Sequence, residues 1–273
     1  MPERALTAKA VKAALRREAD PERAKVALWY FKTGPGEYGE GDRFLGVAAA
    51  PMRRISKAVR DLPLSEVDRL LASPWHEDRA AAVLILGEAY GRSDAERQEQ
   101  IYRLYLSSTD RISGWDLVDC SAAEVVGRHL RHRSRKPLHQ LAGSRSLWER
   151  RIAIVATKHW IRDGDLDETL ALAERLVGDR EDLIQKAVGW MLRCVGDRDR
   201  ARLQEFLDRH AATMPRTMLR YAIEKLPQAL RRRYLAAARS AAASRSAPSD
   251  RSGFPPPRAT GAGHAPTRSR RGH

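Results

Sequence analysis

Apolar residues recur every three to four positions through most of the chain, and no stretch alternates apolar and polar in the two-residue rhythm of a strand. The pattern predicts helices joined by short polar breaks. In "DPERAKVALWYF" the start is marked by Asp20 as N-cap and Pro21 at the first helical position. "SDAERQEQIYRLYL" is predicted to start at Ser93, and "REDLIQKAVGWMLRCVGD" and "PRTMLRYAIEKLPQALRRRYLAAA" read as further helices. Breaks as short as "GDLD" and "GDRDR" leave room only for antiparallel helix pairs.

A longer period lies over the helical one. The segments "HEDRAAAVLIL", "ISGWDLVDCSA", "WERRIAIVATK" and "LIQKAVGWMLR" stack with Arg79, Trp115, Arg151 and Lys186 in one column, separated by 36, 36 and 35 residues. Such a spacing suits two helices per repeat. It predicts an all-α fold, a right-handed solenoid of HEAT-like antiparallel helix pairs with a concave face. Unrelated amphipathic helices of similar length are the alternative.

Composition adds a partner class. The chain of 273 residues carries 50 Lys+Arg against 35 Asp+Glu, a net charge of +15, which points to a polyanion. Residues 241–273 turn to Ser, Pro, Gly and Arg and are expected to be a disordered basic tail after a helical-repeat domain over 1–240. That tail holds six Arg and one Asp, so +5 of the +15 belongs to it and +10 to the helical part. A mean hydropathy of −0.54 and the lack of a long apolar run exclude a membrane-spanning helix. The charged N-terminus has no apolar signal core, so a cytoplasmic, nucleoid-associated protein is expected. Cys120 and Cys194 have no metal-ligand spacing. Neither do His129 and His132, which sit in the basic run "RHLRHRSRKP". There phosphate contact or plain solvation is the expected role, with Arg131 and Arg133 as a second backbone patch.

If the column lines one surface, Asp119 and Trp190 lie one turn beyond Trp115 and Lys186 on the same helix faces. The surface then offers cations for phosphates and indoles for bases or sugars. Asp119 is the misfit, because phosphate repels it. Each residue also has a plainer reading: Trp190 as core, Asp119 as an ion-pair partner, Arg151 as a solvated face residue.

These residues carry a resemblance. "FLGV" (44–47), "PMRRI" (51–55), "RAAAVL" (79–84), "WDLVD" (115–119), "WERRIAI" (148–154) and "IQKAVGW" (184–190) follow, in order, the pattern of the AlkD family of alkylpurine DNA glycosylases. The resemblance spans roughly residues 20 to 225. It implies an all-helical HEAT-like protein, acting on duplex DNA that contains alkylated purines, as a monomer without metal or cofactor. It matches Trp115 and Asp119 to the family's catalytic aromatic and acid, Arg151 to its DNA-contacting arginine and Trp190 to its second aromatic. Arg79 and Lys186 join the DNA-binding set by register, and Tyr30 by a looser match. The segment "TGPGEYGEGDRF" (33–44) is longer than the family pattern and leaves the placement of Tyr30 open.

The implied chemistry is release of purines alkylated at N3 or N7. Such a base is already cationic and leaves without a general acid, while positive charge moves to the deoxyribose. A carboxylate between two indoles is suited to that charge. Two other functions stay open: a catalytically silent DNA-structure binder on the same scaffold, and a HEAT-like protein-interaction scaffold.

Overall fold

The structure, a computed structural model, describes residues 6–246. Its secondary structure is helical; among the described residues the only extended pairing is an isolated bridge between Arg43 and Trp75. In chain order the helices are α1 (Ala8–Arg17), α2 (Pro21–Tyr30), α3 (Ala49–Ala58), α4 (Leu64–Leu71), α5 (His76–Tyr90), α6 (Ala95–Leu106) and α7 (Trp115–Ala122), the last prolonged by a π-helical turn over Ala123–Gly127. There follow α8 (Lys136–Ala142), α9 (Leu147–Ala156), α10 (Lys158–Arg162), α11 (Asp167–Arg175), α12 (Asp182–Arg198), α13 (Arg200–His210), α14 (Arg216–Ala222) and α15 (Gln228–Ser246). The predicted tail overlaps the end of α15 through residue 246 and otherwise lies outside the described residues.

The caps are local and mostly legible. Asp20 accepts from the backbone N–H groups of Glu22 and Arg23, with Pro21 behind it, as predicted. The start of α6 shifts by one residue: Asp94, not Ser93, caps it by accepting from Arg97 N–H, and Ser93 instead donates to the Ala89 carbonyl. The stretch read as one helix from Pro215 onward is two. Pro227 brings no N–H and disfavours helical backbone in the residue before it, so α14 stops at Ala222 and α15 starts at Gln228.

The four column positions fall on α5, α7, α9 and α12, and each of these helices packs against the next, with α14 continuing the line. The core runs through them as one apolar cluster, and its largest fully buried side chain is Trp160, whose indole N–H donates to the Gly127 carbonyl at 2.8 Å. Gly189 sets the last step of the line. A Cβ there would stand 2.5 Å from both the Met218 carbonyl oxygen and the Tyr221 Cβ, so only glycine allows α14 to come this close to α12. The close approach sets Tyr221 of α14 on the same cleft wall as Trp190.

Candidate active site

A cleft of about 630 Å3 opens across these helices, within the roughly 300–1,000 Å3 of ordinary small-molecule sites. Tyr30 of α2, Trp115 and Asp119 of α7, Arg151 of α9, Lys186 and Trp190 of α12 and Tyr221 of α14 line it, together with Lys32, Glu37 and Tyr38 from the loop after α2. One helical turn separates Trp115 from Asp119, so α7 alone presents an indole and a carboxylate to the same space.

Asp119 is held by a two-point ion pair. Arg151 donates from Nε to one carboxylate oxygen at 3.0 Å and from Nη2 to the other at 2.8 Å, while its Nη1 donates to the Leu183 carbonyl at the start of α12. Burial raises the Asp119 carboxyl above the ordinary carboxylate range, against the opposing pull of the Arg151 charge and hydrogen bonds. The carboxylate keeps partial exposure, 20% for its side chain against 5% for that of Arg151, so it faces the cleft with the guanidinium behind it.

Trp115 is fixed by aromatic packing. The Phe31 ring stacks on it at 5.4 Å and 16°, and Tyr30 meets it edge-on at 5.9 Å and 70°. Phe31 in turn stacks on Phe44, and Phe44 on the His76 imidazole at 4.6 Å. His76 is itself clamped between carboxylates, with Nδ1 2.8 Å from Asp42 and Nε2 2.8 Å from Asp116, the neighbour of Trp115. Burial alone would depress the imidazole. The bonds and charges of Asp116 and Asp42 outweigh it and lift the pKa to about 9, so His76 is an imidazolium at neutral pH.

The column is only partly a row of surface groups. Arg79 is buried; its Nη2 donates to both Asp42 oxygens at 2.9 Å, and its Nη1 donates to the Ser73 carbonyl. Arg151 is buried as well. The sequence expectation that Arg79 and Arg151 present free guanidiniums to phosphate therefore does not describe where they lie: desolvated cations must be paired, and both are. Lys186 keeps partial exposure but pairs with Asp182, one turn earlier, at 2.6 Å. Trp190 serves both readings, partly buried on the core yet lining the cleft. Lys158 Nζ lies 4.5 Å from its ring centroid, a contact no sequence signal announces.

The basic run after α7 lies away from the cleft. Arg131 pairs with Asp163 at 3.0 Å, Arg135 with Asp165, and Arg133 donates to the His129 carbonyl at 2.6 Å. The patch expected for DNA backbone is thus largely neutralised by acids of the α10–α11 turn. His129 is not at the surface: it is buried, its ring stacked on Tyr102 at 3.8 Å. Cys120 packs against the core, and burial pushes its thiol up to about 12, which makes it inert. Among the described residues no group of three or more His, Cys, Asp or Glu side chains is placed to hold a metal ion, and no helix is long and apolar enough to cross a membrane.

Comparison with known proteins decides the family. A profile of DNA alkylation repair enzymes matches residues 11–226, which includes every cleft residue named above. The chain belongs to the DNA alkylation repair enzyme family. No curated protein matches. Among solved structures, a predicted DNA alkylation repair enzyme from Enterococcus faecalis superposes with a TM-score of 0.61 at 18% identity, over 77% of this chain and 98% of that one. At that identity the likeness shows a shared fold. Family membership makes this chain a DNA repair enzyme by class, with DNA as the substrate class.

Proposed function

We propose that the protein is a monofunctional DNA glycosylase that hydrolyses the N-glycosidic bond of cationic N3- or N7-alkylated purines in duplex DNA and leaves an abasic site. The observation that carries this reading is Asp119: a carboxylate locked by Arg151 at the bottom of an aromatic cleft, one turn from Trp115. The cleft's charges balance, Lys32, Arg151, Lys186 and Arg193 against Glu37, Asp119, Glu181 and Asp182, in a chain of net charge +15. Within a protein that attracts polyanions, this is a place that tolerates a cation.

As the glycosidic bond breaks, its electron pair goes to the purine, which leaves neutral, and positive charge passes to C1′ of the deoxyribose. Asp119 stabilises that charge, and the ring faces of Trp115 and Trp190 that Phe31 and Lys158 leave open add their quadrupoles. A water then adds to C1′ and loses its proton, for which the Asp119 carboxylate serves as the acceptor. Arg151 supports this by holding both carboxylate oxygens in one geometry, so nothing needs to reorganise during reaction. We place the site on the concave face of a HEAT-like solenoid, a reading supported by the column helices α5, α7, α9 and α12 packing in sequence. Duplex contacts then fall to partly exposed cations, Lys186 and Lys158 among them, and to Tyr30, which is 56% exposed at the cleft edge. We take the working unit to be a monomer.

The direct test is incubation of the pure protein with duplex DNA carrying a single N7-methylguanine, followed by measurement of free base. Release of 7-methylguanine with an intact abasic strand supports the assignment. Tight duplex binding without release would favour the silent DNA-structure binder, and absence of both would favour a protein-interaction scaffold.

A further inference from the structure

Helix α2 stands apart from the rest of the fold: none of its residues is buried. Its two ends are anchored. Asp20 N–H donates to the Leu45 carbonyl at 3.0 Å, and Gly46, at a φ of 80°, lets the first turn of α2 settle on that segment. A Cβ at Gly46 would lie 2.0 Å from the Asp20 carbonyl oxygen and 2.7 Å from the Ala24 nitrogen. At the other end Phe31 stacks on Trp115 and on Phe44. Between the anchors the helix holds its apolar side chains out. Among the described residues the exposed large hydrophobics are Leu6, Val26, Leu28, Trp29 and Tyr30, so all but Leu6 fall within one stretch of α2. Singly exposed apolar residues need no explanation, but a cluster does. Val26, Trp29 and Tyr30, spaced i, i+3 and i+4, share one face, with Trp29 81% and Val26 63% exposed. Neither Val26 nor Trp29 packs against the apolar core.

We propose that this face of α2 is an interaction surface for duplex DNA, on which Trp29 and Val26 pack against the sugar surface of the strand that runs past the cleft. It requires only the family's substrate class, DNA, and stands independently of base release. Two observations choose DNA over a protein partner. The face is continuous with the cleft, because Tyr30, next to Trp29, lines the cleft wall, as does Lys32. Its surroundings are basic: over residues 6–32 seven Lys and Arg stand against three acids, and every charge on α1 is positive. Arg23 and Lys25, one turn before Val26 and Trp29, pair with Asp20 and Glu22 at 3.3 and 2.7 Å in exposed positions. Such surface pairs are weak and give way to a phosphate. A polyanion is drawn to this end of the molecule. The cations then take phosphates, and the indole covers the C–H surface of the deoxyribose between them.

The test titrates a fluorescently labelled, undamaged duplex with the full-length protein at several salt concentrations. Trp29→Ala is expected to weaken binding about tenfold at each of them and to leave the log–log salt slope unchanged, because an apolar contact releases no counterions. Trp29→Phe should stay within about threefold of the wild type. Leu28→Ala removes an exposed apolar side chain from the opposite side of the helix and should change affinity by less than about twofold. With no packing to lose, Trp29→Ala should keep the wild-type urea midpoint. Unchanged affinity or a shallower salt slope in Trp29→Ala, an equal loss in Leu28→Ala, or a wild type that does not bind duplex overturns the proposal. So does a DNA-free wild type that dimerises in sedimentation where Trp29→Ala does not, since the occupant is then a second copy. Base release plays no part in the titration. A wild type that binds this duplex through Trp29 and releases no 7-methylguanine loses the glycosylase assignment and keeps this surface.

Discussion

Asp119 and Arg151 lie side by side, two nitrogens against two oxygens at 3.0 and 2.8 Å, and the carboxylate is the more exposed of the two in the cleft they both line. The sequence pattern puts Arg151 in a row of DNA-facing groups and Asp119 one turn beyond that row; the arrangement instead pairs the two directly. In the proposed mechanism the acid meets the substrate and the guanidinium orients the acid.

The first prediction concerns the acid. Asp119→Asn keeps the shape and one acceptor for Arg151 but removes the charge. Loss of such transition-state stabilisation is worth about 3 kcal/mol, so single-turnover release of 7-methylguanine should fall by roughly a hundredfold. Binding to undamaged duplex at fixed salt should hold or tighten, because a carboxylate facing phosphates is gone. In the wild type, release should decline as pH falls through an acid whose pKa stands above the ordinary carboxylate range, since burial raises Asp119 and the ionised form is the active one. Release from the variant at the wild-type rate would remove Asp119 from the site.

Arg151 should matter for folding first. Arg151→Met strands a largely buried carboxylate, and breaking one side of such a pair costs about 3–5 kcal/mol. Urea unfolding of the variant should show that loss. Removing both charges in Asp119→Asn/Arg151→Met should be less destabilising than the sum of the single changes. Additive losses in that double-mutant cycle would mean that the pair has no coupling.

Arg79 provides a contrast with Lys186. Arg79 is committed to Asp42 and Ser73, so Arg79→Met should lower the unfolding midpoint and leave the salt dependence of duplex binding unchanged. Lys186 keeps partial exposure in the cleft, so Lys186→Ala should reduce the log–log salt slope by about 0.9, one phosphate contact. Titrations at several salt concentrations read both. A reduced slope in Arg79→Met would show that the guanidinium reaches DNA after all.

His76 predicts a pH-dependent stability. Its folded pKa of about 9 exceeds the ordinary 6.5, so the folded state binds the proton more tightly. The stabilisation is fully present below about pH 6.5 and is lost as pH rises toward 9. Its size is on the order of 3 kcal/mol. Unfolding free energies measured from pH 6 to 10 should fall across that window in the wild type. His76→Gln should be less stable at pH 6 and lack the decline.

How much of this was legible beforehand depends on how local the cause is. Asp20 and Pro21 begin a helix by hydrogen bonds and torsions within a few residues, so the sequence by itself determined that start, the all-helical class and the grouping of Trp115 with Asp119 on one helical face. The period of the column likewise follows from repeated local pattern, and it correctly named helices that pack in succession. Only the tertiary structure decided which members of that column are solvated. Arg79 and Lys186 look alike in the sequence, but one points at a buried carboxylate delivered by Asp42, 37 residues away, and the other at an acid one turn back on an open helix face. The same holds for Tyr38, which joins the cleft through a folded-back loop, and for Lys158, which meets the Trp190 ring from a neighbouring helix. A charge's partner and a ring's neighbour are set by long-range packing, and the desolvation that turns a surface cation into a buried strut exists only once the chain has closed around it.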